Sequence, residues 1–179
     1  MAKQVDATYG NALFELAMEE HKLDEFYDEA QVLVNIFKEN YELIRLLEHP
    51  QISKEEKKAL IENTFKGRVS GDMTGLMVMV VDKEHSKWLV RILEYFIGCV
   101  KKAKNIGIAD VTSAVTLSDS QKADIEKRLL DTTSYTSMEV TYNVDKSLIG
   151  GLVIRIEDRV VDSSIKNKLE KMSKALAQG

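Results

Sequence analysis

The sequence predicts an α+β chain in two parts: an N-terminal six-helix bundle followed by a small α/β module. Three observations predict this. Apolar residues recur at helical spacing through most of positions 5–100. Just after Asn105 the composition turns β-branched, with Ile106, Ile108, Val111, Thr112 and Val115. Further on, Met138, Val140, Tyr142 and Val144 alternate strictly with Glu139, Thr141 and Asn143, the period of a strand with one buried face. The change near Asn105 sets the domains at 1–104 and 105–179.

The first helix is expected over about 6–20, from Val5, Tyr9, Ala12, Leu13 and Leu16. Ala7, Phe14 and Met18 give it a second apolar edge, so it must be covered from two sides. After a break at 21–24, Leu23, Phe26, Tyr27, Ala30, Leu33 and Phe37 mark a second helix to about Asn40. Leu43, Ile44, Leu46 and Leu47 make a short third. It stops before Pro50, the only proline, because the residue preceding a proline resists helical geometry. Ser53 and Glu56 form a capping box that opens a fourth helix to Phe65. A loop at 67–71 precedes a fifth helix over 73–81, apolar on almost every side. The run 76–81 also fits a strand, but the short connections to flanking helices favour a helix. Trp88, Leu89, Ile92, Leu93, Phe96 and Val100 stripe a sixth helix, which ends in the basic turn of Lys101, Lys102 and Lys104.

In the second part, Ser118 and Gln121 open a helix through Ile125, Leu129 and Leu130. The alternating strand over 138–144 follows, then a turn at 145–147. After Gly150 and Gly151 a strand over 152–157 puts Leu152, Ile154 and Ile156 on one face. Glu157, Asp158 and Arg159 make a polar corner, and Val160 and Val161 a last short strand. Ile165, Leu169, Met172 and Leu176 stripe a final helix, capped by Asp162 and the serines after it and frayed at Gln178 and Gly179.

Composition narrows the function. Net charge is −4, which argues against a general nucleic-acid binder. No apolar run approaches the ~20 residues of a membrane span. The N-terminus carries early acids and no apolar core, so it reads as neither a signal nor a transit peptide. A single cysteine, Cys99, excludes an internal disulfide, fits a reducing cytoplasm and reads as a small core residue. Charge is uneven. Positions 1–50 hold eleven acids against Lys3, Lys22, Lys38 and Arg45, whereas the last helix holds Lys166, Lys168, Lys171 and Lys174 against Glu170. Favourable dipole placement explains the basic end, and two ends made for different partners would explain both.

No catalytic constellation emerges. A phosphate cradle needs glycines after a strand and before a helix, whereas Gly150 and Gly151 precede a strand. They suit a turn with positive φ or a close approach of backbone to backbone. His21, His49 and His85 lack a second ligand at metal spacing, and Cys99 lacks an activating partner. Glu157, Asp158 and Asp162 could hold Mg²⁺ in a metal-dependent hydrolase, but a turn and a helix cap account for them. The prediction is therefore no catalytic residue, no cofactor and no metal, in a chain built of binding surfaces.

The run 140–157, with Asp145, Leu148, Gly150, Gly151, Ile154 and Arg155 at their present spacing, resembles the signature of the delta subunit of bacterial F-type ATP synthases. Asp158 and Asp162 belong to the same stretch. The mitochondrial relative of that family is the oligomycin-sensitivity-conferring protein. TYGNALFELA is similar to the family's opening helix, and DRVVDSSIKNKLEKM to its ending. One position departs. Family members often carry glycine where this chain has Glu157, so the corner is expected to turn without a left-handed residue.

The resemblance spans essentially the whole chain and implies a non-catalytic stator subunit. It would link the catalytic head to the peripheral stalk on the cytoplasmic face of the cell membrane, one copy per complex and monomeric when isolated. The head would then resist torque during ATP synthesis coupled to proton transport. The resemblance further implies a groove between the first and fifth helices for the N-terminal helix of an alpha subunit. In this sequence those helices offer Tyr9, Ala12, Leu13, Phe14, Leu76, Met77, Met79 and Val80, which spacing alone does not divide between core and partner. The C-terminal module would meet the b subunits of the stalk, with Arg159, Val160, Val161, Leu169 and Met172 as candidates. A helix-groove adaptor outside any ATP synthase is the alternative.

Overall fold

The computed structural model describes residues 2–177 and is α+β. The chain divides into two compact units, Met1–Lys101 and Lys102–Gly179. Ahead of that division lie α1 (Ala2–Glu19), α2 (Leu23–Glu39), α3 (Tyr41–Glu48), α4 (Lys54–Phe65), α5 (Gly71–Asp82) and a 3-10 turn (Ser86–Trp88), and α6 (Leu89–Ala103) reaches it. The second unit holds β1 (Ile106–Ser113), α7 (Asp119–Thr132), β2 (Ser137–Val144), a 3-10 turn (Lys146–Leu148), β3 (Leu152–Ile156), β4 (Arg159–Asp162) and α8 (Ile165–Ala177). The fraying expected at Gln178 and Gly179 lies outside the described residues.

In the first unit, helical periodicity becomes core. Phe26, Ala30, Leu33, Val34 and Phe37 of α2 are all buried, and the Phe37 ring sits 5.6 Å from that of Phe65 in α4. They join Ile61, Met73, Met77, Leu89, Ile92, Leu93 and Phe96 in one cluster. Residues 76–81 are helical, so the strand alternative falls. The helix begins earlier than expected, at Gly71, because Ser70 caps it. Ser70 Oγ accepts from the Met73 N–H, while the Glu29 carboxylate accepts from the Ser70 N–H at 2.6 Å and from its hydroxyl at 2.7 Å. Likewise α1 begins at Ala2, ahead of position 6. Cys99 corrects another expectation. It is half-buried rather than core, with Sγ 3.8 Å from Oδ1 of Asn11 on α1.

The second unit is a four-stranded sheet of order β2-β1-β3-β4 with α7 joining its one parallel pair, β1 and β2. Alternation fixes the faces. Gly107, Ala109, Val111 and Ser113 of β1 are buried. In the antiparallel pairing Ser113, Val111 and Ala109 stand opposite Leu152, Ile154 and Ile156, the face the sequence assigns inward. Across the parallel register Val111 neighbours Tyr142. The Tyr142 hydroxyl donates to Glu126 Oε1 at 3.0 Å and lies 3.2 Å from the Lys122 carbonyl, which ties α7 to the sheet. Burial and the Glu126 carboxylate push that phenol up to about 12.

Candidate functional site

Two contacts fix how α1 lies against α5. The Tyr9 hydroxyl is 3.4 Å from Nδ1 of His85, just past the end of α5, with the two rings edge to face. At the other end Lys22, just past α1, reaches Asp72 in the first turn of α5 at 4.0 Å. The two helices are therefore antiparallel neighbours. On its other flank α1 packs on α6. A Cβ at Gly10 would stand 2.5 Å from the Tyr95 ring, and Asp6, buried, pairs with Arg91 at 2.8 Å.

This geometry divides the residues expected in the groove. Leu13, Leu76, Met77 and Val80 are buried in the core and are corrected to that role. They belong to the core cluster, so the unit's own packing already covers them. Tyr9 and Phe14 are half-buried against the core. Ala12 and Met79 are exposed. The groove candidates left out one position of the same outer strip, Gly75, where an added Cβ would meet nothing within 4 Å; Met18, 49% exposed, lies on the other edge of α1, the side of Asn11 and Cys99. The signal was present, since Gly75 and Met79 are one turn apart on α5.

The signature residues of the second unit serve the backbone. The Asp145 carboxylate accepts from the Ser147 N–H at 2.9 Å, which starts the 3-10 turn and holds its pKa below the usual range. Gly151 has φ +80°, and a Cβ there would stand 2.5 Å from the Ser163 carbonyl oxygen. A Cβ on Gly150 would meet Ile165. Both structural roles expected of the glycines are thus realised, and no ligand is needed to explain them. Asp162 accepts from the Ser164 N–H at 2.9 Å. Ser164, 1% exposed, accepts in turn from the Asn167 N–H and caps α8. Arg155 stands between Asp110 of β1 and Val160 of β4.

Glu157 overturns an expectation. The corner does use a left-handed residue: Glu157 has φ +50°, while Asp158 beside it does not. The loop between Ile156 and Arg159 is two residues long, and such tight hairpins require positive φ whatever side chain is present. The Tyr135 hydroxyl bonds to the Glu157 carboxylate, which raises the phenol's pKa. Glu157 and Asp162 thus each take part in a local structural hydrogen bond. Among the described residues no group of three or more histidine, cysteine or acidic side chains could hold a metal ion.

Arg159, Val160, Val161, Leu169 and Met172 are all exposed. Ile165 and Leu176, also exposed, extend their apolar strip along α8. An open cavity of about 850 Å³ lies between α7 and the segment 149–152, lined by residues that include Val115, Ile125, Arg128 and Ile149. Ile149 has φ +66°, a conformation β-branched residues avoid, and is 63% exposed. Its strain carries no sequence signal.

Comparison with known proteins places the chain in a family. The family described as ATP synthase delta (OSCP) subunit matches residues 5–176. ATP synthase subunit delta of Lachnoclostridium phytofermentans is 51% identical over 176 residues, covering 98% of this chain and 97% of that one. The Desulforudis audaxviator subunit delta is 31% identical over 174 residues, covering 97% and 95%. A chain of the Toxoplasma gondii mitochondrial ATP synthase hexamer superposes with a TM-score of 0.76 over 96% of this chain and 97% of its own, at 17% identity, and so shares the fold. The adaptor alternative outside ATP synthases therefore falls. No described helix is long and apolar enough to cross a membrane. The chain belongs to the ATP synthase delta (OSCP) subunit family, non-catalytic stator components of the peripheral stalk.

Proposed function

We propose that the first unit, as one six-helix bundle (residues 1–104), holds the N-terminal helix of an alpha subunit on the outer strip of α1 and α5. The second unit, residues 105–179, binds the b subunits of the stalk through β4 and α8. One copy would sit on the cytoplasmic side of the membrane and join head to stalk. Torque on the head is then resisted by two non-reacting interfaces, one on each unit. The observation that carries this reading is the strip itself. Ala12, Gly75 and Met79 lie uncovered above a core that includes Leu13, Leu76, Met77 and Val80. A small residue and a glycine admit a partner backbone closely, and a methionine adapts to its side chains. A helix laid between two helices is a common recognition mode.

Ala12→Asp tests it. In the free chain the new carboxylate stays in water, and melting is expected to match the parent. In the complex it is buried without a partner, at a cost of several kcal/mol. About 3 kcal/mol is roughly a hundredfold in affinity. Calorimetric titration with the alpha-subunit N-terminal peptide, and a melt of the same sample, decide it. Undiminished binding by a folded variant would remove α1 from the interface.

A further inference from the structure

The helix α8 has thirteen residues, and none of those whose side chains are described is buried. The hydrogen bonds described between it and the rest of the unit lie in the first turn. The Ile165 N–H donates to the Gly150 carbonyl at 2.9 Å, and the Ser164 cap lies beneath. Past Asn167, every side chain of the helix that is described is exposed. Helices this short are marginal in water unless an amphipathic face is packed.

The apolar face is uncovered. Ile165, Leu169, Met172 and Leu176 are 43%, 52%, 62% and 83% exposed. They are spaced four, three and four apart, which is the d-a-d-a seam of a heptad repeat. In that register Lys166 and Lys168 occupy flanking e and g positions. Lys171 and Lys174 lie further out, and Glu170 is the only acid on the helix. Flanking charges set partner choice in such seams. A second copy of α8 in parallel register would set Lys168 against Ser173, so self-pairing gains no flanking charge pair.

We infer that α8 is one strand of a mixed coiled coil whose partner is a helix with an apolar heptad seam flanked by acidic residues. This rests on the stalk reading for where the partner sits in the assembly, but its chemistry is argued from α8 alone.

The test uses the full chain and two designed peptides with leucine at every a and d position. One carries glutamate at e and g, the other lysine, so each repels itself. Fluorescence anisotropy reads binding and circular dichroism reads induced helix. The glutamate peptide is expected to bind at least tenfold more tightly than the lysine peptide, with the gap narrowing in high salt. Leu169→Asp, at an exposed position, should abolish binding without altering the melt. Lys166→Glu combined with Lys168→Glu should reverse the preference. Equal binding of both peptides would overturn the acidic partner. So would binding to phosphatidylglycerol vesicles with neither peptide held.

The soluble segment of a b subunit separates this inference from the stalk reading. If that segment binds while the glutamate peptide is refused, the coiled coil is wrong and the stalk reading stands. If the glutamate peptide binds while the b segment is refused, the stalk reading fails and the coiled coil stands.

Discussion

Glu157 sits where its backbone asks for glycine. A left-handed φ of +50° costs an L-residue about 1–2 kcal/mol, of which the bond from Tyr135 returns a part. Glu157→Gly should therefore stabilise the chain by about 0.5–1 kcal/mol, net of the extra freedom glycine has when unfolded. Glu157→Val should destabilise it, because a branched Cβ suits this conformation least. Denaturant melts of the three proteins check this, and a glycine variant clearly weaker than the parent would refute it. The strain was illegible in the sequence because glutamate announces no turn. Ser53 with Glu56, and Ser118 with Gln121, were legible because a capping box closes within one turn and needs nothing from the rest of the fold.

Helical periodicity says which side chains are apolar, not which neighbour covers them. Ala12 and Leu13 are adjacent on α1, and one is exposed while the other is 2% exposed. On α5, apolar nearly all round, the period gives no direction, and packing within the unit, chiefly against α4, decides. Helix ends were hidden for a related reason. His21 and Glu84 close α1 and α5 in the left-handed conformation, with the N–H that follows each one bonded back to Ala17 and Val80, a cap usually marked by glycine. Gly75 offers a test that separates stability from binding. Its Cβ would meet only open space, and mid-helix glycine costs about 1 kcal/mol relative to alanine. Gly75→Ala is expected to raise the melting temperature of the free chain. If a partner helix lies against α5 here, the same change should lower affinity for the alpha-subunit peptide. A variant that is more stable and binds equally well would place the partner elsewhere.

The core cluster of the first unit draws only on residues from Val5 to Val100, so residues 1–104 alone are expected to fold. A fragment with helical circular dichroism and a cooperative melt would agree, and a disordered one would not. Acid is expected to weaken the full chain. Hydrogen bonds and ion pairs hold Asp82, Asp145, Asp162 and Glu56 below their ordinary values of 3.8 and 4.5 in the folded state. The unfolded chain thus takes up protons first as pH falls. Their contribution is fully present above those ordinary values and is lost as pH drops through them toward the depressed ones. Because three of the four are exposed and Asp82 is only half-buried, the decline should be shallow, with melting nearly constant from about pH 7 to 5. Asp82→Asn with Asp162→Asn should lower the neutral-pH melt and flatten the acid decline; an unaltered pH profile would show that other groups carry it. Finally, α8 has a bearing on the lifetime of the subunit. A copy made in excess of its partner presents this helix bare, and segments without buried contacts open at little cost and are cut first. Assembled copies would outlast surplus ones, so the cell could match the number of these subunits to the number of stalks by proteolysis, without metering their synthesis.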